Sequence, residues 1–299
     1  MSYLHAIIIG LLQGVTELFP ISSLGHSVLL PAWLHWNDPA LHQALGESPY
    51  LAFVVGLHVA TALALLAFFW RDWVRLVKAF FGTVGKRRIE TPDERLIWLL
   101  IVATIPAGIT GLVFEHKLRT LFAKPLAAAI FLTANAVVLF GGERLRRRDE
   151  VRTLAASHRG SAADLPDGPA RQLDTLDFRE AGVIGVAQVG SLFAGISRSG
   201  ITMVAGLVRG LDHEDAARFS FLLATPIILA AGVYKIPDLT GHLGNGIRGQ
   251  TLAGALAAAL AASVAIRFLM RYFQTRTLTP FAAYCLIAGG ISMIRFGLF

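Results

Sequence analysis

The sequence predicts an all-α integral membrane protein with six transmembrane helices plus two re-entrant helix pairs in an inverted repeat. Three observations predict it. First, 55% of the 299 residues are hydrophobic and 16% charged, with a mean hydropathy of +0.59, whereas soluble domains carry about 25% charged residues. Second, six apolar runs reach the about 17–25 residues that a bilayer crossing takes. Third, two further apolar regions are each interrupted by a short polar knot, and the knots are alike.

The first broken region covers 3–34, with the knot "ELFPISSLGH" at 17–26. Spans follow at 51–70, 96–114 and 125–142. The second broken region covers 181–211, with the knot "FAGISRSGIT" at 193–202, and spans follow at 216–234, 251–270 and 280–298. Each limb of a broken region is too short to cross alone, the pattern of a helix that enters the membrane and turns back.

Orientation follows from the basic residues, which favour the cytoplasmic side. Arg71, Arg75, Lys78, Lys86, Arg87, Arg88 and Arg95 follow the first span. Arg144, Arg146, Arg147, Arg148, Arg152, Arg159, Arg171 and Arg179 follow the third. Both segments are expected inside, and the stretches 35–50 and 235–250 outside. The segment 143–180 reads as a flexible cytoplasmic linker. The start, "MSYLHAIIIGLL", lacks a basic n-region and a small-residue cleavage site, so no removed signal peptide is expected. A net charge of +7 could suit nucleic acid. The arginines flank apolar runs, which fits anionic headgroups instead, and no nucleic-acid partner is expected. Cys285 is the sole cysteine, so no internal disulfide can form.

A shift of 175 residues superposes Ile9 on Ile184, Gly10 on Gly185, Gln13 on Gln188, Ile21 on Ile196, Ser22 on Ser197 and Gly25 on Gly200. Residues 1–142 and 181–299 then form two repeats, each a re-entrant pair and three spans. An odd number of spans inverts the second copy, as in transporters whose broken helices meet at the midplane with their N-termini aimed at anions.

Glu17 and Arg198 lie in corresponding knots. A charge at the bilayer centre costs at least about 2.5–3.5 kcal/mol by insertion scales, so the pair either bridges or faces a ligand. Ser22, Ser23, Ser197 and Ser199 gather beside them with Gly25 and Gly200, and hydroxyls, helix N-termini and a guanidinium together suit phosphate. His26 suits a general acid, a base or a nucleophile. Gln13, one turn before Glu17, shares its helix face and can orient the carboxylate. His58 and Thr61, mid-span, read as helix–helix hydrogen-bonding residues. Gly108 with Gly111, and Gly289 with Gly290, read as sites of close helix packing. Walker, HExxH and CxxC motifs are absent, as is the lipid-phosphatase "PSGH" pattern.

"QGVTELFPISSLGH" and "AGISRSGIT" resemble the two signature motifs of the bacterial undecaprenyl-diphosphatase family, the bacitracin-resistance type of integral membrane phosphatase, and "ARFSFLLATPIILAAG" is similar to a third stretch of it. The resemblance implies hydrolysis of undecaprenyl diphosphate to the monophosphate, recycling the carrier lipid of the cell wall, in the bacterial plasma (inner) membrane with the site facing the periplasm. It marks Gln13 and Glu17 as the (E/Q)xxxE pair, Ser22, Ser23 and His26 in the first motif, and Ser197, Arg198 and Ser199 in the second. It also implies a divalent cation, Mg2+ or Ca2+, with Glu17 the candidate ligand and no organic cofactor. Leu24 and Ala194 depart from the family pattern, which commonly has a small or hydroxyl residue and a proline there. Whether Ser23, His26 or water attacks phosphorus stays open, as does a homodimer. The rival reading is a transporter or flippase of a polyprenyl phosphate or another anion, which the repeats alone would favour.

Overall fold

A computed structural model describes residues 1–36, 49–122, 124–157, 171, 173–241 and 244–298. Among the described residues eleven α-helices follow one another: α1 (Tyr3–Thr16), α2 (Ser23–Trp33), α3 (Pro49–Phe68), α4 (Trp70–Lys86), α5 (Pro92–Phe122), α6 (Pro125–Ser157), α7 (Phe178–Val189), α8 (Arg198–Val208), α9 (His213–Thr240), α10 (Arg248–Tyr272) and α11 (Thr279–Leu298). No strand occurs among the described residues, only an isolated bridge between Arg171 and Leu211. Six helices among the described residues are long and apolar enough to cross a bilayer: α3, α5 over Pro92–Phe114, α6 over Pro125–Arg148, α9 over His213–Lys235, α10 and α11. The chain is an all-helical, multi-pass membrane protein.

Its polarity pattern fits that setting. Leu112, Val113, Leu256, Leu260, Val264, Ile287 and Ile294 are exposed, whereas Gln13, Glu17, Asn135, Gln188, Ser197 and Thr202 are buried. Lipid-facing surfaces have no reason to hide apolar side chains, and polar groups within the membrane turn to the bundle interior.

Glycines bring the short helices close to long ones. Gly10 and Gly14 on α1 lie against the backbone of Gly254 and Ala258 on α10, and Gly185 on α7 lies against the backbone of Ala103 on α5. The first limb of each broken region, α1 and α7, therefore packs on a long helix from the other half of the sequence. Gly289 likewise sits against Thr133, joining α11 to α6. Its neighbour Gly290, and Gly108, have nothing within 4 Å of a notional Cβ, and Gly111 meets only Leu192 at 3.8 Å. The expectation of close packing thus holds at Gly289 and fails at the other three, which face away from neighbouring backbones.

Two stretches read as connections are helical. α4 occupies most of the basic segment after the first span, burying Leu76 and Thr83 while exposing Trp70, Val74, Val77, Phe81 and Val84. α6 runs beyond the predicted span end at 142 through Glu143 to Ser157, so the first two fifths of the presumed linker are helical. Long arginine side chains are good helix formers and their heads reach water, so polarity did not stop the helix. The chain is held again at Arg171, which pairs with Glu180 at 2.7 Å and donates to the Arg209 carbonyl at 3.0 Å. Residues 158–170 and most of the stretch 35–50 lie outside the described residues.

Candidate active site

Both polar knots fall where helices break. α1 ends at Thr16, residues 17–22 carry the turn, and Ser22 caps α2 with its hydroxyl accepting from Gly25 N–H at 3.3 Å. Ser22 does this at φ +70°, a left-handed conformation that a residue with a Cβ adopts at a cost and that clusters at functional sites. The second break begins in a single 3-10 turn, 190–192, and passes Gly195 at φ +115°. Only glycine suits that position, since a Cβ would press on the backbone of Ala128 and Leu132. Ser197 then caps α8, accepting from Gly200 N–H at 3.1 Å.

The breaks touch. Ser22 Oγ also accepts from Gly195 N–H at 3.1 Å, and a Cβ at Gly25 would lie 3.0 Å from Gly195 Cα. Asn135 on α6 spans both: its Nδ2 donates to the Pro20 carbonyl at 2.9 Å, and its Oδ1 accepts from Ser197 N–H at 3.0 Å. The N-termini of α2 and α8 are thereby fixed beside one another. Helix N-termini carry partial positive charge and unsatisfied N–H groups, so the junction favours an anion.

Glu17 is the hub. Its Oε2 accepts from Gln13 Nε2 at 3.0 Å and from Ser23 Oγ at 2.5 Å. His58 Nε2 on α3 lies 3.2 Å from the same oxygen. Oε1 is bridged by Arg198 Nη2, and Arg198 Nη1 is buried with no partner among the described residues. The side chains of Glu17 and Arg198 are only 6% and 15% exposed.

His26 is clamped rather than free. Nδ1 meets the Ser22 carbonyl at 2.7 Å and Nε2 meets the Tyr284 hydroxyl at 2.8 Å. Ser199 shares a hydrogen bond with Ser197 at 3.0 Å and donates to the Phe19 carbonyl at 3.3 Å. The structure thus brings Gln13, Glu17, Ser23 and Arg198 into one network, with Ser22, Gly25 and His26 alongside. Ser197, Ser199 and Gly200 form the cap of α8, and of the four serines only Ser23 directs its hydroxyl at Glu17. Gln188, the repeat mate of Gln13, lies elsewhere, with Nε2 3.5 Å from the Ala103 carbonyl.

Sequence reasoning set His58 aside as a helix-packing residue and did not single out Asn135 or Tyr284. Asn135 had a signal, being an amide alone in an apolar span, which inside a membrane needs partners. Tyr284 had none, since aromatic residues are ordinary in such helices.

A resident metal does not fit this donor set. No group of three or more His, Cys, Asp and Glu residues converges among the described residues. Glu17 is the sole carboxylate of the network, and four donors, including Arg198, already surround it.

The family model described as "Bacitracin resistance protein BacA" matches residues 6–291. The chain is 57% identical to Undecaprenyl-diphosphatase 2 of Frankia alni, the alignment covering 100% of this chain and 99% of that one. It is 57% identical to Undecaprenyl-diphosphatase of Mycobacterium avium over 98% of this chain and 97% of the other, and 43% identical to Undecaprenyl-diphosphatase 2 of Chromobacterium violaceum over 98% and 99%.

Proposed function

This chain belongs to the bacitracin resistance protein BacA family, and from that premise we propose that it is an undecaprenyl-diphosphatase. It hydrolyses the lipid diphosphate to undecaprenyl phosphate and inorganic phosphate. The observation that carries the reading is the junction at Glu17, where a serine hydroxyl, a carboxylate and an arginine with a spare buried donor meet between two helix N-termini.

In this reading the terminal phosphate enters between α2 and α8. Arg198 turns its fork to the phosphate oxygens, for which a bidentate guanidinium is suited. Ser23 Oγ attacks the terminal phosphorus as its proton passes to Glu17 Oε2, the anhydride P–O bond breaks, and the lipid monophosphate leaves as an anion. Glu17 gives that proton up with the departing monophosphate. Water then attacks the phosphoserine, losing a proton to Glu17 as the P–Oγ bond breaks. Ser23 Oγ takes that proton back, and phosphate departs. Ser23 is favoured over water and His26 because its base is already in place, whereas both His26 nitrogens are engaged. His26 and Tyr284 hold α2 to α11 and so aim its N-terminus. A divalent cation, where the reaction uses one, would come with the substrate and would neutralise diphosphate charge, since the Glu17 network offers it no ligand set.

The reading includes the placement. Repeats 1–142 and 181–299 each begin with a broken pair that enters the membrane and returns, joined through 143–180 on the cytoplasmic side, with the lipid reaching the site from the outer face of the plasma membrane. The exchange of limbs, α1 onto α10 and α7 onto α5, supports two equivalent halves. The length of α1 supports re-entry, since its 14 residues reach about 21 Å against the roughly 30 Å of the hydrocarbon core.

The test is phosphate release by detergent-purified protein from a polyprenyl diphosphate, set beside lipid movement in vesicles. Release with little action on the monophosphate is expected. Movement without release would favour the transporter.

A further inference from the structure

His58 occupies the middle of α3 in an otherwise apolar run. Its Nδ1 faces the Val54 carbonyl at 2.8 Å, which only accepts, so Nδ1 carries a hydrogen. Its Nε2 faces a carboxylate oxygen of Glu17 at 3.2 Å, another acceptor. With an acceptor at each nitrogen, the ring in this geometry is a donor at both. Glu17 is then held between two cations, His58 and Arg198, which belong to different helices.

That surplus matters once a phosphate arrives. The guanidinium cannot serve both the carboxylate and the phosphate with its full fork. As Arg198 leaves, Glu17 Oε1 loses its partner, and the carboxylate is free to rotate about its last bond unless something fixes Oε2. Gln13 is a neutral amide one turn away on the same limb. His58 approaches from a different helix, its ring pinned by the Val54 carbonyl, and contributes charge as well as a hydrogen bond. A helix-packing tie alone would not need a titratable ring inside an apolar span, where ionisable groups are costly.

Resting on the phosphatase reading, we propose that His58 is a positioning residue for the reaction. It holds Glu17 Oε2 against Ser23 Oγ while Arg198 transfers from the carboxylate to the phosphate. His58 transfers no proton in the attack itself. It keeps the base aimed and its charge balanced.

Full-length protein carrying His58→Leu or His58→Gln tests this by steady-state phosphate release from a polyprenyl diphosphate, with thermal melts alongside. In His58→Leu, kcat is expected to fall about 100-fold, the scale of a misaimed catalytic group, with KM within about threefold because Arg198 and the helix N-termini still bind phosphate. His58→Gln keeps one N–H directed at Glu17 and is expected to return kcat to within about tenfold of the unaltered protein. If His58→Leu does not purify folded, His58→Met, unbranched and adaptable, is held to the same limits. A leucine variant with kcat within about threefold of the parent overturns the proposal, as does a loss confined to KM or a glutamine variant no better than leucine. An unaltered protein that releases no phosphate overturns the parent reading and the proposal with it. An active one with an unimpaired leucine variant overturns the proposal alone.

Discussion

Replacing either member of the Glu17–Arg198 pair separates a structural bridge from a catalytic one, and the structure gives the two replacements unequal costs. Glu17 faces the Arg198 guanidinium on one side and His58 Nε2 on the other. Arg198→Gln leaves the carboxylate with His58 still opposite, so the fold should lose only a hydrogen bond to a charged group, about 1.5–3 kcal/mol. Glu17→Gln leaves the Arg198 guanidinium buried without its counter-ion, and its NH2 meets donors where Oε1 or Oε2 stood. Removing one partner of a buried pair costs about 3–5 kcal/mol, and this variant should fall there. Activity should order differently. Arg198→Lys keeps the charge near Glu17 but lacks the second donor that the buried Nη1 supplies. Losing one donor aimed at developing charge costs about 10²–10³ in kcat, some 2.7–4 kcal/mol. The lysine variant should therefore melt like the parent and turn over at least about 100-fold more slowly. Thermal unfolding in detergent and phosphate release from a polyprenyl diphosphate read both quantities on the same preparations. The reasoning fails if Arg198→Gln destabilises as much as Glu17→Gln, if the lysine variant stays within about fivefold of the parent in kcat, or if the Glu17→Gln/Arg198→Gln protein regains activity with stability.

Ser22→Ala removes the acceptor shared by the Gly25 and Gly195 N–H groups, and should lower stability by about 2 kcal/mol; an unchanged melting temperature would contradict the tie between the knots. Tyr284→Phe frees His26 Nε2 and should slow turnover about tenfold through a looser α2, whereas faster turnover would mean that His26 acts as a free base. Glu143 Oε1 accepts from His213 Nε2 and from Leu278 N–H, both at 2.6 Å. Glu143→Leu should cost about 3–5 kcal/mol by leaving both donors buried, yet spare kcat at a temperature where the variant is folded, which assays below its melting point would check. Gly10→Val drives a branched side chain into the Gly254 backbone and should abolish recovery of folded protein from membranes, as size-exclusion profiles would register.

The crossing helices were legible because each is a continuous apolar run, and the knots because charges and serines interrupt such runs at a fixed spacing. α4 was not, since its apolar residues recur at helical spacing among Arg71, Arg75 and Lys78, and a count of basic residues reads only which side of the membrane the segment lies on. The extension of α6 failed for the same reason, through Arg144 to Arg148. Within the site, Glu17, Ser23 and Arg198 announced themselves by being polar where apolar residues were expected. His58 did too, but its partner lies 41 positions away across a turn that no periodicity describes. Asn135 meets residues in both knots, and only the packed helices reveal that.

The exchange of limbs between the halves also constrains how the chain is made. α1 finds its glycine-lined seat on α10, whose first residue is synthesised 232 positions after Thr16. At about 5–20 residues per second, α1 waits some 12–46 s for that surface to emerge. During that interval a limb too short to cross must lodge at the membrane surface or be shielded by the insertion machinery. A ribosome that stalls before Arg248 leaves a product with every residue of the Glu17 cluster and no seat for the helix that carries Gln13.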